Sequence, residues 1–262
     1  MTDKNPQFLN LSRGRKIAYL ANMSAANNSP GLLWANGFRS KMTGQKASRI
    51  STWATSQNRP CVRFDYSGNG ASSGEFEDAT IGDWVEECTA VFDRLTSGPQ
   101  ILVGSSMGGW IVLLVTLAHL RQVGAENSRI KGLVLIAPAV DMTQDLMWRK
   151  FPPGIRQGLK QTGVFMRPSA YDDGRYPITL KLIEEGRRHL LFGGEKFNTH
   201  CPIRILHGRR DVDVPWQHSK KLMAHLANDD VSLNLINTGE HRLSRNEDIE
   251  QLIATIAEFI QA

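Results

Sequence analysis

The sequence predicts an α/β protein with a mainly parallel central sheet, helices on both faces of that sheet, and a helical insert after its middle. Three observations carry the prediction. Short apolar runs alternate with longer amphipathic ones along most of the chain, which is the pattern of strands buried on both faces and connected by helices. The length, 262 residues, suits one domain of this class. Between 141 and 200 the alternation stops, over a span far longer than the usual connection of about 2–6 residues.

Taken in order, "KIAYLANM" (16–23) and "GLLWAN" (31–36) are the first strand-like runs, joined by the turn-rich "SAANNSP". They are expected to pair as an antiparallel start. "CVRFDY" (61–66), "QILVGS" (100–105), "GLVLIAPA" (132–139), "IRILHG" (203–208) and "SLNLIN" (232–237) follow as short apolar strands. Helices are expected near 42–58, 81–96, 108–123, 216–227 and 247–260. In the last of them Ile249, Leu252, Ile253, Ile256, Phe259 and Ile260 recur at helical spacing. Asn246, Glu247 and Asp248 suit its start, where a short polar side chain and acidic residues face unpaired N–H groups. The insert has no clear strand and holds "FPPGIRQGL", "MRPSAYDDGRYP" and "ITLKLIEEGRRHLL". It is expected as a helical cap, at about 141–200, within a single domain spanning 1–262.

Composition narrows the function classes. The 31 basic residues exceed the 26 acidic ones by five, but the two kinds are interleaved, which argues against a dedicated nucleic-acid surface. No run approaches the roughly 18–20 apolar residues of a membrane span, so no stable membrane insertion is expected. The N-terminus lacks the apolar core of a secretory signal. Cys61, Cys88 and Cys201 are odd in number and widely spaced, a poor framework for disulfides or zinc. Together these features lead to the expectation of a cytoplasmic protein with reduced thiols. No metal site is expected, since no histidine pair has ligand spacing supported by carboxylates. "DYSGNGASSG" (65–74) imitates a phosphate loop, but its third glycine comes one place late and no helix opens at once. It is expected to be a structural turn, with no cofactor.

The chemistry concentrates in "QILVGSSMGGW". A strand runs directly into a helix, and glycines lie two places before and two after one serine. A nucleophile at the tip of so sharp a turn needs small neighbours, and only one register, Gly104-Ser105-Ser106-Met107-Gly108, satisfies G-x-S-x-G. Ser106 is therefore the candidate nucleophile, and Ser105 fills a tolerant position. A serine hydroxyl also needs a base, and the base needs a partner that fixes its tautomer. In this architecture the chain order is serine, acid, histidine. "IRILHGRRDVDVPW" offers Asp211 and Asp213 after a strand. Asp211 is favoured, with Asp213 read as a solvated or capping carboxylate. His241, between a strand and the last helix, is the candidate base. His207, ending a strand, is expected to be buried and satisfied, whereas His189 in the insert is a candidate for the pocket wall. The oxyanion of an acyl transfer needs backbone donors. These are expected from Met107, after the nucleophile, and from Phe38 in "LLWANGFRS".

With these residues in hand, the chain resembles the α/β-hydrolase superfamily over nearly its whole length. "RFDYSGNGASSG" looks like that superfamily's D-x-x-G-x-G-x-S turn, from Asp65 to Ser72. More narrowly, "GPQILVGSSMGGW", "CPIRILHGRRDVDVPW" and "MRPSAYDDGRY" are similar to the mitochondrial palmitoyl-protein thioesterase and acyl-glucuronide esterase branch and its bacterial relatives. Two departures stand out: no mitochondrial transit peptide is read, which suits a bacterial cytoplasmic relative, and before the oxyanion loop Asn36 precedes Gly37 in place of the family's His or Pro. The resemblance implies a serine hydrolase acting on a small-molecule or acyl-protein ester or thioester, with Ser106, Asp211 and His241 as its triad. A peptidase, a C–C bond hydrolase of the same fold, or a binding protein that kept the elbow are the alternatives. Leu146, Met147, Trp148, Phe151, Ile155, Val164, Phe165 and Met166 of the insert supply apolar surface either to line an acyl pocket or, the commoner case, to pack the insert onto the sheet. Trp148 and Phe165 are the positions expected to set the length of the acyl chain. Arg149, Arg167 and Arg187 of the insert are candidates to meet an anionic leaving group.

Overall fold

The computed structural model describes residues 5–22, 30–168, 174–226 and 230–261. Its strands are β1 (Gln7–Asn10), β2 (Lys16–Asn22), β3 (Gly31–Ala35), β4 (Cys61–Phe64), β5 (Gln100–Ser105), β6 (Ile130–Ile136), β7 (Val164–Pro168), β8 (Arg175–Thr179), β9 (Ile203–Gly208) and β10 (Val231–Ile236). The helices are α1 (Gln45–Ser56), α2 (Ile81–Leu95), α3 (Met107–Val123), α4 (Pro153–Thr162), α5 (Leu180–Gly186), α6 (Gln217–His225) and α7 (Asn246–Gln261). The main sheet has eight strands in the order β1-β2-β4-β3-β5-β6-β9-β10. From β4 to β10 all pairings are parallel. This is the expected architecture, an α/β-hydrolase fold.

The antiparallel start is built differently from the expectation. β2 does not pair with β3. It lies between β1 and β4, antiparallel to both, and β3 lies between β4 and β5. The short β1 was not expected: its four residues are mostly exposed, so the inward-outward contrast that signals a strand is weak.

Each face of the sheet has its own core. On one, Trp84, Cys88 and Phe92 of α2 and Trp110, Ile111 and Val115 of α3 pack with Leu33, Leu102 and Leu135. On the other, Ala47, Ile50 and Ala54 of α1 and Leu252 and Ile256 of α7 cover Leu32, Val103 and Val134. α3 is buried from Met107 through Leu113, as suits a helix wedged between a sheet and a second helix. α2 opens with a capping box: the Thr80 hydroxyl accepts from the Asp83 N–H while Asp83 accepts from the Thr80 N–H. Gly132 on β6 leaves room for the Phe259 ring, which any Cβ there would strike.

The stretch between β6 and β9 is not purely helical. A π-helical turn (Met142–Met147) and a 3₁₀ turn (Trp148–Lys150) lead into α4; α5 and a second 3₁₀ turn (Arg187–His189) follow later. Between α4 and α5, β7 and β8 form an antiparallel hairpin apart from the main sheet. The absence of a strand signal has a physical cause. The hairpin is largely half-exposed and carries Pro168 and Pro177, which mark edge strands. At the base of the stretch the Asp141 carboxylate accepts the N–H groups of Leu191 (2.8 Å) and Phe192 (2.9 Å). Burial pushes that carboxyl above the ordinary range, against the pull of the two N–H bonds.

Candidate active site

The elbow follows from the sterics of its glycines. Ser106 sits between β5 and α3 at φ 53 and ψ −116, a backbone region that costs an L residue of order 1–3 kcal/mol. A Cβ on Gly104 would lie 2.5 Å from the Gly108 carbonyl oxygen, and one on Gly108 would collide with the Ala35 carbonyl. A Cβ on Gly109 would meet Pro138 at 2.9 Å. The Ser106 N–H donates to the Ile136 carbonyl at 2.8 Å, and its own carbonyl accepts from Gly109 (2.9 Å) and Ala139 (3.0 Å). The turn is thus tied to β6 and to the first turn of α3. Arg39, Ala137, Asp141 and Leu243 also have positive φ, and all lie on loops at this same end of the sheet.

The three candidate residues form a continuous hydrogen-bonded row. The Ser106 hydroxyl donates to His241 Nε2 at 3.1 Å, and His241 Nδ1–H donates to Asp211 Oδ2 at 2.8 Å. The Asp211 side chain is fully buried and that of His241 is 17% exposed, so the row runs from the interior to the cavity. Asp211 follows β9, and its other oxygen, Oδ1, accepts the N–H groups of Asp213 (3.0 Å) and Val214 (2.8 Å). Burial raises the Asp211 carboxyl, but hydrogen bonds from His207, His241 and the backbone outweigh it and hold the group well below the usual carboxylate range. Asp213, the competing acid, donates its backbone N–H to Asp211 and lines the cavity, with a carboxylate oxygen within 4.8 Å of the Asp211 and His241 side-chain atoms.

His207 does more than fill space. Its Nδ1 accepts from the Ser219 hydroxyl at 2.7 Å, while Nε2–H donates to the Val214 carbonyl at 2.8 Å and lies 3.2 Å from Asp211 Oδ2. The fully buried ring therefore clamps both ends of the acid turn. Its strand-end position marked it as buried and satisfied, but this contact depends on the fold of 211–219.

The oxyanion side is assembled from two elements. Met107 is the first residue of α3, and an N–H at that position has no intrahelical acceptor. The helix also presents its positive end there. Gly37 packs against the nucleophile: a Cβ on it would meet the Ser105 carbonyl and Ser106 Cβ, both at 3.3 Å. Phe38 follows directly, and its ring is held edge-on by Phe76 (5.0 Å), Trp84 (5.9 Å) and Tyr176 (6.1 Å). Asn36 supports this loop from beneath, accepting from Trp34 Nε1 (2.7 Å) and donating to the Phe64 carbonyl (2.5 Å).

A cavity of about 260 Å³ opens beside Ser106. Gly37, Phe38, the π-helical turn, the hairpin and the acid and histidine loops line it. Of the insert's expected apolar contacts, Leu146 and Met147 line the cavity, whereas Trp148, Phe151, Ile155 and Phe165 pack elsewhere in the core. Phe151 and Phe165 meet each other at 5.4 Å. His189 is likewise not part of the lining. It bonds Glu185 at 2.6 Å, and Glu185 accepts the Gly82 N–H at 3.0 Å. Of the three basic candidates only Arg167 lines the cavity: Arg149 pairs with Asp145, and Arg187 lies over the Trp148 ring.

The glycine-rich turn at 65–74 is occupied by its own carboxylate. Asp65 accepts from Met42 N (2.6 Å) and Ala71 N (3.0 Å), and any Cβ on Gly70 would strike that carboxylate. The glycine there makes room for Asp65. Asp211, Asp213 and His241 offer ligand atoms within 4.8 Å of one another, the one cluster among the described residues that could hold a metal ion. Two of the three are already joined by the Nδ1–Oδ2 hydrogen bond.

The chain belongs to the alpha/beta hydrolase family, whose model matches residues 31–260, and it is a hydrolase by class. Among individual relatives, palmitoyl-protein thioesterase ABHD10, mitochondrial, of Homo sapiens is 35% identical over 254 residues, spanning 97% of this chain and 79% of that protein. The Pongo abelii protein of the same name is 36% identical over the same span. The crystal structure of a candidate hydrolase from Agrobacterium vitis S4 is 40% identical with a TM-score of 0.90, covering 98% of this chain and 100% of that one. The mouse alpha/beta hydrolase domain-containing protein 10 is 32% identical with a TM-score of 0.87, covering 98% and 99%. The expectation of a cytoplasmic protein is corrected by these relatives, which are named as mitochondrial. The missing apolar signal core bears on secretion and not on mitochondrial import, which uses amphipathic segments.

Proposed function

We propose that the protein is a serine hydrolase that cleaves a carboxylic ester or thioester through an acyl-enzyme. The observation that carries this is the row Asp211–His241–Ser106, with the serine on a strained elbow at the mouth of a cavity. Ser106 Oγ attacks the acyl carbon and its proton passes to His241 Nε2. The N–H groups of Met107 and Phe38 take the charge that develops on the carbonyl oxygen. The imidazolium returns its proton to the departing oxygen or sulfur, leaving the acyl group on Ser106. Water then gives a proton to His241 and attacks the ester; collapse frees the acid and restores the serine. Asp211 holds the imidazole in the Nδ1–H tautomer and stabilises its cation.

The name of the mammalian relatives, palmitoyl-protein thioesterase, supports acyl thioesters of proteins or small molecules as the substrate class. Residues 1–262 act as one domain, with 141–200 as a cap over the cavity. A fluorophosphonate probe tests the reading. Wild type and Ser105→Ala should both label and hydrolyse aryl esters, and Ser106→Ala should do neither. Loss confined to Ser105→Ala would move the nucleophile.

A further inference from the structure

The oxyanion loop is held in part by a residue of the cap. We infer that Tyr176, on β8 of the hairpin, is a positioning residue for the reaction: its ring clamps the Phe38–Arg39 turn and so holds the Phe38 N–H on the carbonyl oxygen, a role that rests on the serine-hydrolase reading with Phe38 as a donor.

The turn needs holding. The Gly37 carbonyl accepts the Ser40 N–H at 3.1 Å, and the third residue of the turn, Arg39, has φ 56. A positive φ at that position belongs to a type II turn and normally goes to glycine. An arginine there carries strain that persists only where surrounding contacts over-determine the backbone. Leaving that conformation breaks the closing bond and frees the Gly37–Phe38 amide, the donor itself, to turn.

Two of the surrounding contacts come from the main domain. The Phe38 ring meets Phe76 at 5.0 Å and Trp84 at 5.9 Å, and Trp84 is itself pinned by its Nε1–H on the Ser67 carbonyl at 3.3 Å. The other two come from the cap, both from one ring. Tyr176 stands edge-on to Phe38 at 6.1 Å, and the Arg39 guanidinium lies over the same ring at 4.7 Å. The stack gives the arginine a fixed seat although Arg39 is exposed.

Tyr176 is itself well anchored. Ile178, two places along and so on the same face of β8, is fully buried in the main core. The Leu180 N–H donates to the Gly163 carbonyl at 2.8 Å and closes the base of the hairpin. Phe38, Arg39, Tyr176 and Ser106 line one cavity, so the clamp lies beside the reacting atoms.

A wall residue and a positioning residue leave different kinetic marks. Loss of a wall contact raises KM or changes which acyl group is preferred. A misplaced donor lowers kcat for every ester, because the charge it meets develops only in the transition state.

The experiment compares Tyr176→Leu, Tyr176→Phe and Arg39→Met on an acetyl and an octanoyl aryl ester, with thermal unfolding to identify folded variants. An aryl trifluoromethyl ketone reads the oxyanion site directly: Ser106 Oγ adds to its carbonyl carbon, the serine proton passes to His241, and the ketone oxygen is left as an oxyanion. Tyr176→Leu should lose about ten- to a hundredfold in kcat on both esters, short of the roughly 10²–10³ for removing a donor outright, with KM changed less than about threefold. Ketone affinity should weaken in parallel with kcat/KM. Tyr176→Phe, which keeps the ring, should recover most of the rate. Arg39→Met removes the stack from outside the cap and should lower kcat in the same way, so the test stands even where Tyr176→Leu unsettles the hairpin. A folded Tyr176→Leu or Arg39→Met with wild-type kcat would overturn the inference. So would losses confined to KM or to one ester, or a Tyr176→Phe as slow as Tyr176→Leu. Wild-type protein that neither cleaves the esters nor labels at Ser106 would instead remove the hydrolase reading, and this role with it.

Discussion

Replacing Asp211 by Asn tests the row at its buried end. Oδ1 accepts two backbone N–H groups, from Asp213 at 3.0 Å and Val214 at 2.8 Å. An asparagine must keep its oxygen on that side, because turning its NH₂ toward two N–H donors would leave all of them unpaired. The NH₂ then faces His241, where Oδ2 accepted the Nδ1–H hydrogen bond at 2.8 Å. Two donors cannot share that contact, so the imidazole must shift to the Nε2–H tautomer, in which it can no longer take the Ser106 proton. Loss of this tautomer in a triad costs about 10⁴ in kcat, or about 5.4 kcal/mol of barrier at about 1.36 kcal/mol per tenfold. Steady-state kcat on an aryl ester and the rate of fluorophosphonate labelling should fall together in Asp211→Asn. Asp213→Asn should lose less than about tenfold, since the hydrogen bond to His241 Nδ1 is made by Asp211 and Asp213 holds the row through its backbone N–H. Equal losses in the two variants, or a larger one at Asp213, would refute the reasoning.

Three further outcomes are expected. Gly108→Ala forces a Cβ into the Ala35 carbonyl, so it should lower both Tm and labelling rate, at a cost of about 1–3 kcal/mol typical of overpacking; a variant as stable and active as wild type would mean that the elbow yields easily. Burial, with Arg242 nearby, lowers the Lys46 ammonium to about 8, below its ordinary value of about 10.4. The unfolded chain then binds more protons between those two values, so stability should rise with pH across that window, and a Tm series in which Lys46→Met keeps the same rise would reject the assignment. Asp141→Ala orphans the Leu191 and Phe192 N–H groups at about 1–3 kcal/mol for each buried unpaired group; hydrogen exchange at those two amides should accelerate, and unchanged protection would count against the clip.

The elbow was legible because its glycines encode distances: each marks a place where backbone comes too close for a Cβ. The parallel strands were legible for a related reason, since burial on both faces leaves a continuous apolar run. The acid was narrowed to two residues by spacing, but the choice between them rests on which carboxylate the turn 211–214 directs inward, and that turn is made by backbone N–H bonds to Asp211. The hairpin β7–β8 was missed because half-exposed, proline-bearing edge strands carry little alternation. His207 and Lys46 were not legible as neighbours of the site. His207 reaches Ser219 and Val214 only after the loop closes, and Lys46 donates to the Arg242 carbonyl, nearly two hundred positions away in sequence.

The Asp141 carboxylate has a consequence for how the chain can vary. By holding the N–H groups of Leu191 and Phe192, it brings the two ends of a long excursion together at its root. To the sheet below, everything from 142 to 190 is then a short connection, whatever its internal length. The entropy of closing a loop grows only slowly with its length, so changes of length cost the strands little where they spare the segment's core residues, among them Phe151, Leu159, Ile178, Leu182 and Ile183. The clip is thus a splice point. A foreign cap grafted between Asp141 and the 191–192 amides would inherit a formed anchorage, and the sheet beneath could change its clientele without being rebuilt.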